Sequence, residues 1–395
     1  MLINMVPYHH ARWEAFAVLG GFRCTVLELA GRDEFAVLEY AGGIASYRRQ
    51  TLFREATGEG IPNARVAAAV ERALTELNPD VICVNGYSLL PNLVALQWAA
   101  AHSIPVVMCS ESNRLDSDRN RVKEWVKRRV IGLSSAGMAG GRPQADYLVE
   151  LGLPKETVFS GYDAVDNSHF CKGSETARRR DDELRRELKL PARYFIACSR
   201  FAGKKNIPRL IEAFALYKKR SSKSQKIWDL VIVGDGELRP LIEEVVQRFG
   251  VIHSVHLVGA KPYDVLPAYY ALAGALIHAS TTEQWGLVVN EAMASGLPVL
   301  VSNRCGCVTD LVWEGKNGFT FDPYDVEALA QLMIKISTDD FPLSEFGLTS
   351  RKIITNWGPE RFASGMKAAA ECALKVGAKR AGLFDRVLLK ALSHR

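Results

Sequence analysis

Short apolar, β-branched runs alternate with helical patterns along almost the whole chain. In the N-terminal half the strand-like runs are "MLINMVP", "RCTVLELA", "DVICVNG", "PVVMCS" and "TVFSGYD", with helical periods in "NARVAAAVERALTEL" and "NLVALQWAAAH" between them. The C-terminal half repeats the scheme with "YFIACSR", "WDLVIVG", "SVHLVG", "GALIHAS" and "LPVLVSN". Hydrophobicity in these runs is continuous rather than alternating, which means burial on both faces and predicts parallel sheets covered by helices. The chain has 395 residues, more than the roughly 250 to 300 at which a single core stops growing. Two doubly wound α/β domains are therefore expected.

The most charged stretch, "CKGSETARRRDDELRRELKLPA" from Cys171 to Ala192, reads as a solvated helix with opposite charges three or four residues apart, and as a domain boundary. It separates an N-terminal domain over residues 1–170 from a C-terminal domain over residues 171–360. After "FDP" at Phe321 to Pro323 no strand pattern remains. Residues 361–395 are expected to be helices that return to the N-terminal domain and end in a basic tail.

An apolar content of 48% and a charged content of 24% exclude a fibrous or disordered chain. The net charge of +6 does not require nucleic acid, and none is expected, but it suits an acidic ligand or an anionic membrane surface. No window approaches about 18 uninterrupted apolar residues, so no spanning helix is predicted. The opening residues lack an apolar core of signal-peptide length. The eight cysteines are scattered and are expected to be reduced thiols. Only Cys305 and Cys307 stand close, in "CGC", and without a second cluster they predict no metal site.

The stretch "TTEQWGLVVNEAMASGLPVLVSN" sets Glu283 and Glu291 on either side of Gly286. A strand ends at Ser280, a polar loop carries Glu283 and Gln284, and an apolar helix starts at Gly286 and stops at Gly296 before Pro298. The free backbone N–H groups of Trp285, Gly286, Leu287 and Val288 at such a helix start form an anion site, and glycine lets a phosphate approach the backbone. Two acids beside an anion site make sense if they accept hydrogen bonds from hydroxyls of the same ligand, as in a nucleotide-sugar. On this pattern alone a surface acid and a solvated helix residue remain open as alternatives. In "CSRFAGKKNIPRLIEAFALYKK" a strand ends at Ser199, and Arg200 and Lys205 flank a glycine-containing turn. Two cations at a strand's carboxyl end can neutralise a departing diphosphate. Gly234-Asp235-Gly236 closes another strand and reads equally as an ordinary turn or a ligand loop.

Together these segments resemble the retaining glycosyltransferases of family 4, with the GT-B fold of two Rossmann-like domains facing a central cleft. The resemblance spans roughly Tyr194 to Pro323 and rests on "EQWGLVVNE" followed by "AMASGLPVLVS", on "RFAGKK", "VIVGDGEL", "VHLVGAKPYDVLPAYYALAGALIHAS" and "GKNGFTFDP". It implies that Arg200 and Lys205 bind the diphosphate, Glu291 the ribose hydroxyls, and Glu283 with the backbone of residues 284–288 the sugar and phosphates. The base would rest near Val258, Gly259, Ala260 and Lys261. In the first half, Glu111 stands where many members carry a histidine, and it is assigned a catalytic role beside the sugar. His10 and Arg12, in "PYHHARW", are candidate acceptor or phosphate contacts, with a solvated first helical turn as the alternative. The Asp163, Asp166 and Asn167 cluster in "GYDAVDNSHF" resembles the interdomain crossing.

The implied function is retaining, metal-independent transfer of a sugar from a nucleoside diphosphate to an acceptor hydroxyl, in bacterial-type polysaccharide, lipopolysaccharide or glycolipid synthesis. The nucleotide-sugar is a substrate, so no cofactor is expected, and the acceptor is a saccharide or lipid-linked saccharide. A nucleotide-sugar epimerase of the same fold and a non-catalytic nucleotide-sugar-binding protein remain alternatives. A dinucleotide-dependent dehydrogenase lacks its Gly-x-Gly-x-x-Gly after the first strand of either half. The expected location is the cytoplasm, with peripheral contact on the inner face of the membrane left open. Two stretches bear on that contact: Asn113 to Val130 carries seven cations against three acids, and the last 21 residues carry six against one. Each reads either as a basic amphipathic helix at an anionic leaflet or as a helix docked on its own domain.

Overall fold

Every strand pair among the described residues is parallel, as doubly buried apolar runs require. The computed structural model describes residues 4–31, 45–56, 60–116, 119–221 and 227–393. The chain divides into two units, Met1–Val165 with Trp357–Arg395, and Asp166–Asn356.

In the first unit, β1 (Thr25–Ala30) pairs with β2 (Arg48–Phe53). A separate sheet runs in the order β3 (Ile82–Asn85), β4 (Val106–Ser110), β5 (Ala136–Ala139) and β6 (Val158–Ser160). The runs "RCTVLELA", "DVICVNG", "PVVMCS" and "TVFSGYD" supply β1, β3, β4 and β6. The expected strand "MLINMVP" does not appear in its described part: Asn4 to Val6 form no strand, and residues 1–3 lie outside the described residues. Pro7, at the first position of the helix Pro7–Leu19, starts a helix where a strand would have continued. The chain is tied down there by the Met5 N–H, which donates to Glu28 Oε2 at 3.0 Å. β1 and β3 do not pair. They line a cavity of about 950 Å³ instead.

The C-terminal helices belong to this unit. The helix Pro359–Val376 packs on the helix Pro7–Leu19, where the Trp13 and Phe362 rings meet edge-on at 5.2 Å. The helix Leu383–Ser393 lies on the helix Leu90–His102. Fully buried Val107, Met108, Ala136 and Leu148 fill the space around the sheet.

The second unit is one six-stranded sheet in the order β12 (Gly318–Phe321), β11 (Val299–Ser302), β10 (Ala275–His278), β7 (Tyr194–Cys198), β8 (Asp229–Val233) and β9 (Val255–Gly259). The chain builds outward from β7 to β9, then returns to lay β10 on the other side of β7 and continues outward to β12. Strand order therefore reverses between β7 and β10. The connections leaving their carboxyl ends run in opposite directions, and the crevice between them is where ligands bind in open α/β sheets. The charged stretch lies in this unit as parts of the helices Asn167–Arg179 and Asp181–Glu187, with Arg180 paired to Glu183 and Arg185 to Asp181.

Candidate functional site

The loops after β7 and β10 meet at this reversal point. The loop after β7 carries Arg200, Lys204 and Lys205 and leads into the helix Ile207–Arg220 through Asn206, whose φ of 58° is left-handed. Asn206 Nδ2 donates to Ala279 O at 3.2 Å and to Pro323 O at 2.8 Å, so it pins one loop to the other. The Thr281 N–H adds a 2.8 Å bond to Lys204 O. The Gly-Asp-Gly turn braces the same loop from behind. A Cβ on Gly234 would lie 1.9 Å from Ser199 O, and Phe201 N donates to Asp235 O at 2.8 Å. Those glycines are required by close backbone approach, which accounts for the turn without a ligand.

Lys205 and Glu283 form an ion pair between the two loops, with both side chains largely buried. Ser280 Oγ donates to Glu283 Oε2 at 3.2 Å, and His278 Nε2 lies 3.4 Å from the same oxygen. Burial works to raise the Glu283 pKa, but the His278 hydrogen bond and the neighbouring positive charge of Lys205 outweigh it and hold the carboxyl well below its usual range. Burial, with Lys205 adding, lowers the pKa of His278, so the imidazole is neutral at neutral pH and presents its Nε2–H to Glu283. Arg200 is exposed on the same loop.

Gly286 caps the helix Leu287–Ala294 with a φ of 108° and offers no capping side chain. At the start of this helix the N–H groups of Leu287 and Val288 have no acceptor within the helix, while Val289 N donates to Gly286 O at 2.9 Å. Trp285 turns its ring into the core, where Nε1 donates to Asn290 Oδ1 at 2.9 Å, so only its backbone faces the loop; Gln284 is exposed. The Cys305-Gly306-Cys307 run supports this loop: Gly306 N donates to Glu283 O at 3.0 Å and Cys307 N to Trp285 O at 3.3 Å. Both cysteines are free and buried.

Glu291, one helical turn further in, is 8% exposed and accepts a 2.7 Å hydrogen bond from the Tyr270 hydroxyl. Burial pushes its carboxyl up to about 7 against the lowering effect of that bond. Gly259 ends β9, two strands from β7, and Ala260 and Lys261 follow it; Gly259 has a φ of 77°, and the Lys261 ammonium lies 5.7 Å from the centre of the Tyr269 ring. Lys205, Glu283 and Gly286 thus meet where the loops after β7 and β10 come together, with Arg200 on the same loop as Lys205 and Glu291 on the helix that Gly286 opens. His278, Ser280 and Tyr270 join them without having been singled out from the sequence. The only early signal for the first two was a polar ending on the otherwise apolar run "GALIHAS".

The first-unit candidates fall elsewhere. Glu111 directly follows β4 and is half-buried. His10 Nδ1 is 2.9 Å from the Tyr47 hydroxyl. Arg12 does not sit where an acceptor contact requires: it is 1% exposed, donates from Nε to Ala164 O at 2.8 Å, and pairs with the equally buried Asp163 at 3.6 Å. Its guanidinium lies 4.9 Å from the centres of both the Tyr8 and Tyr162 rings. The physical reason is the helix Pro7–Leu19, which turns Arg12, Trp13 and Phe16 inward together. In the second unit, Asp166 caps the helix Asn167–Arg179 through a 2.9 Å bond from His169 N, and Asn167 Nδ2 donates to Ile354 O at 2.8 Å.

Residues 180–353 match the glycosyl transferases group 1 family, and residues 20–159 match the glycosyl transferase 4-like domain. The chain is 31% identical over 156 residues to the alpha-monoglucosyldiacylglycerol synthase of Acholeplasma laidlawii, covering 39% of this chain and 37% of that protein. It is 29% identical over 205 residues to the GDP-mannose-dependent alpha-(1-6)-phosphatidylinositol monomannoside mannosyltransferase of Mycobacterium tuberculosis (strain H37Rv), covering 49% and 52%. The matched region therefore spans only about a third to a half of these relatives. The fold is shared with Anabaena HepE solved with UDP (TM-score 0.69, 17% identity, 93% of this chain and 97% of that one). It is also shared with sucrose-phosphate synthase from Thermosynechococcus elongatus (TM-score 0.70, 20% identity, 93% and 97%). These likenesses establish the GT-B class of two Rossmann-like α/β domains. The chain belongs to the glycosyl transferases group 1 family and carries a glycosyl transferase 4-like domain ahead of the group 1 region.

Proposed function

We propose that this protein transfers a hexose, with retention at the anomeric carbon, from a nucleoside diphosphate sugar to a hydroxyl of a saccharide or lipid-linked saccharide. The observation that carries this reading is the Lys205–Glu283 pair set beside the uncapped start of the helix Leu287–Ala294, at the point where strand order reverses. A diphosphate there meets the cations of Arg200 and Lys205 and the first-turn N–H groups, which together stabilise it as it departs. Glu283 is positioned for sugar hydroxyls and Glu291 for the ribose. Gly259 to Lys261 are positioned to border the base. In the step itself the acceptor oxygen bonds to the anomeric carbon as the bond from that carbon to the phosphate oxygen breaks, and the acceptor proton passes to the leaving phosphate. This reading uses no cofactor and no metal, since the donor is a substrate and protein cations supply the neutralising charge. His10 and Glu111 remain the first-unit candidates for the acceptor and the reacting sugar.

The relatives support the substrate class: two are named for glycolipid or phosphoinositide glycosylation, and HepE has been solved with UDP-glucose. We assign the reaction to polysaccharide, lipopolysaccharide or glycolipid synthesis on the cytoplasmic side, with peripheral contact at the membrane. No helix of the described residues is long and apolar enough to cross a membrane. The test is a panel of UDP-, GDP- and dTDP-sugars incubated without acceptor, monitoring slow release of the nucleoside diphosphate. Release from one donor class supports the proposal, and an epimerised donor with no release would replace it with an epimerase.

A further inference from the structure

Two basic stretches far apart in the sequence come together on one exposed face of the first unit. The helix Arg121–Ile131 and the helix Leu383–Ser393 touch through the Trp125 and Phe384 rings, 5.4 Å between centroids, and through Arg129, whose Nε donates to Asp385 Oδ1 at 2.9 Å. Despite this contact, Trp125 is 47% exposed and Phe384 52%. Val122 precedes Trp125 by three residues, and Leu383 and Val387 flank Phe384; all three are exposed. At these spacings each helix presents one apolar stripe outward. The second helix is firmly seated on its other side. Asp385, Leu389 and Ser393 are buried there, and Gln97 Nε2 donates to Ser393 Oγ at 2.9 Å.

The exposed charges that the two helices themselves carry have one sign, while Glu71 of the neighbouring helix lines a cavity beside Arg386 and Lys390. Arg121, Lys123 and Arg128 on the first helix and Arg386 and Lys390 on the second are exposed. Each helix contains a single acid, and both acids are neutralised from within: Glu124 by Arg119 and Lys127, Asp385 by Arg129. An exposed aromatic pair flanked by exposed cations on both helices is poorly suited to water. It is well suited to the boundary of an anionic bilayer, where rings enter the headgroup layer and basic side chains reach lipid phosphates.

We propose that these two helices form one composite membrane-contact face for an anionic lipid surface, with Trp125 and Phe384 as its anchors. It rests on the reading of a lipid-linked acceptor and gives that reading a place of docking. The test is flotation of the full chain with vesicles of mixed phosphatidylglycerol and phosphatidylcholine, against phosphatidylcholine alone. The wild type is expected to float with the anionic vesicles and to lose that recovery in high salt. The double variant Trp125→Ser with Phe384→Ser, and separately the variant Arg121→Gln with Lys123→Gln and Arg386→Gln, should each lower recovery roughly tenfold or more. Both should keep the wild-type melting temperature and vesicle-free donor hydrolysis, so failure of the surface and failure of the transferase reading remain distinguishable. Wild type that stays with the unbound fraction, equal flotation of all chains, or Trp125-dependent self-association in place of flotation would each overturn the proposal.

Discussion

Lys205 in the loop after β7 and Glu283 in the loop after β10 form an ion pair across the point where the sheet reverses its strand order. The pair stores both charges that the proposed chemistry needs, one for the diphosphate and one for sugar hydroxyls, in a region shielded from water. Replacing Lys205 with alanine should lower turnover by roughly 100- to 1,000-fold, the scale on which loss of one preorganised stabilising group acts. The melting temperature should fall as well, because Glu283 is left charged and largely buried with only Ser280 and His278 beside it, so the loss of turnover is read on the protein that remains folded. Transfer rates and thermal unfolding of the two proteins check this, and a fully active variant would remove Lys205 from the mechanism.

Glu291 makes stability depend on pH in an unusual direction. Its folded-state value of about 7 lies above its ordinary 4.5. Between those values the folded chain keeps a proton that the unfolded chain has lost, so stability falls as pH rises through the window. The full difference amounts to roughly 3 kcal/mol. Glu291→Gln should flatten this fall while also weakening donor binding. Denaturant unfolding of both proteins at about pH 5 and about pH 8 measures it, and equal pH slopes would contradict the assignment.

The legibility of the site in the sequence follows the range of the interactions that build it. Arg200, Lys205, Glu283 and Gly286 lie just past strand ends, and both the strand ends and the glycine can be read from local pattern. Asn206 acts through bonds to segments far away in the chain, which local pattern does not carry, while His278 and Ser280 bond to nearby Glu283 from an apolar run whose pattern shows only burial. β5 is the small-residue run Ala136–Ala139, where a Cβ on Gly137 would come within 2.9 Å of Leu153, so it lacks the bulky residues that mark a strand. β2, "RRQTLF", is half-buried, polar at its start and equally faint. Arg12 misled because its residue type suggests solvent, while the helix Pro7–Leu19 carries it inward with Trp13 and Phe16.

Gly286 is required by backbone geometry. Its φ of 108° belongs to a region that L side chains rarely adopt, and an added Cβ would sit 3.4 Å from His278 Nε2 and 3.5 Å from Glu283 Cγ. Gly286→Ala should cost about 1–3 kcal/mol of stability. It should also lower donor affinity, because the strain falls on the N–H groups proposed to hold the diphosphate. Thermal unfolding with and without nucleoside diphosphate reads both effects. Unchanged stability would show that the loop adopts another conformation.

Arg12 and Asp163 form a buried pair, so the cost of breaking it should appear in stability before activity. Arg12→Met alone leaves Asp163 buried beside apolar groups and should cost roughly 3–5 kcal/mol. Adding Asp163→Leu should restore much of that loss, since replacing both members of a buried pair by apolar residues is often close to neutral. A double-mutant cycle in denaturant measures the coupling, and an additive result would mean that the two side chains do not depend on each other.

The crevice between β7 and β10 is proposed to bind the nucleoside diphosphate of a sugar donor through Lys205 and Arg200. Calorimetric titration of UDP and GDP into the wild type and into Arg200→Ala with Lys205→Ala tests it most directly. The wild type should bind at least one of the two saturably, and the variant should bind it at least roughly tenfold more weakly, about 1.4 kcal/mol or more. Absence of binding to the folded wild type, or equal affinity in both proteins, would contradict it.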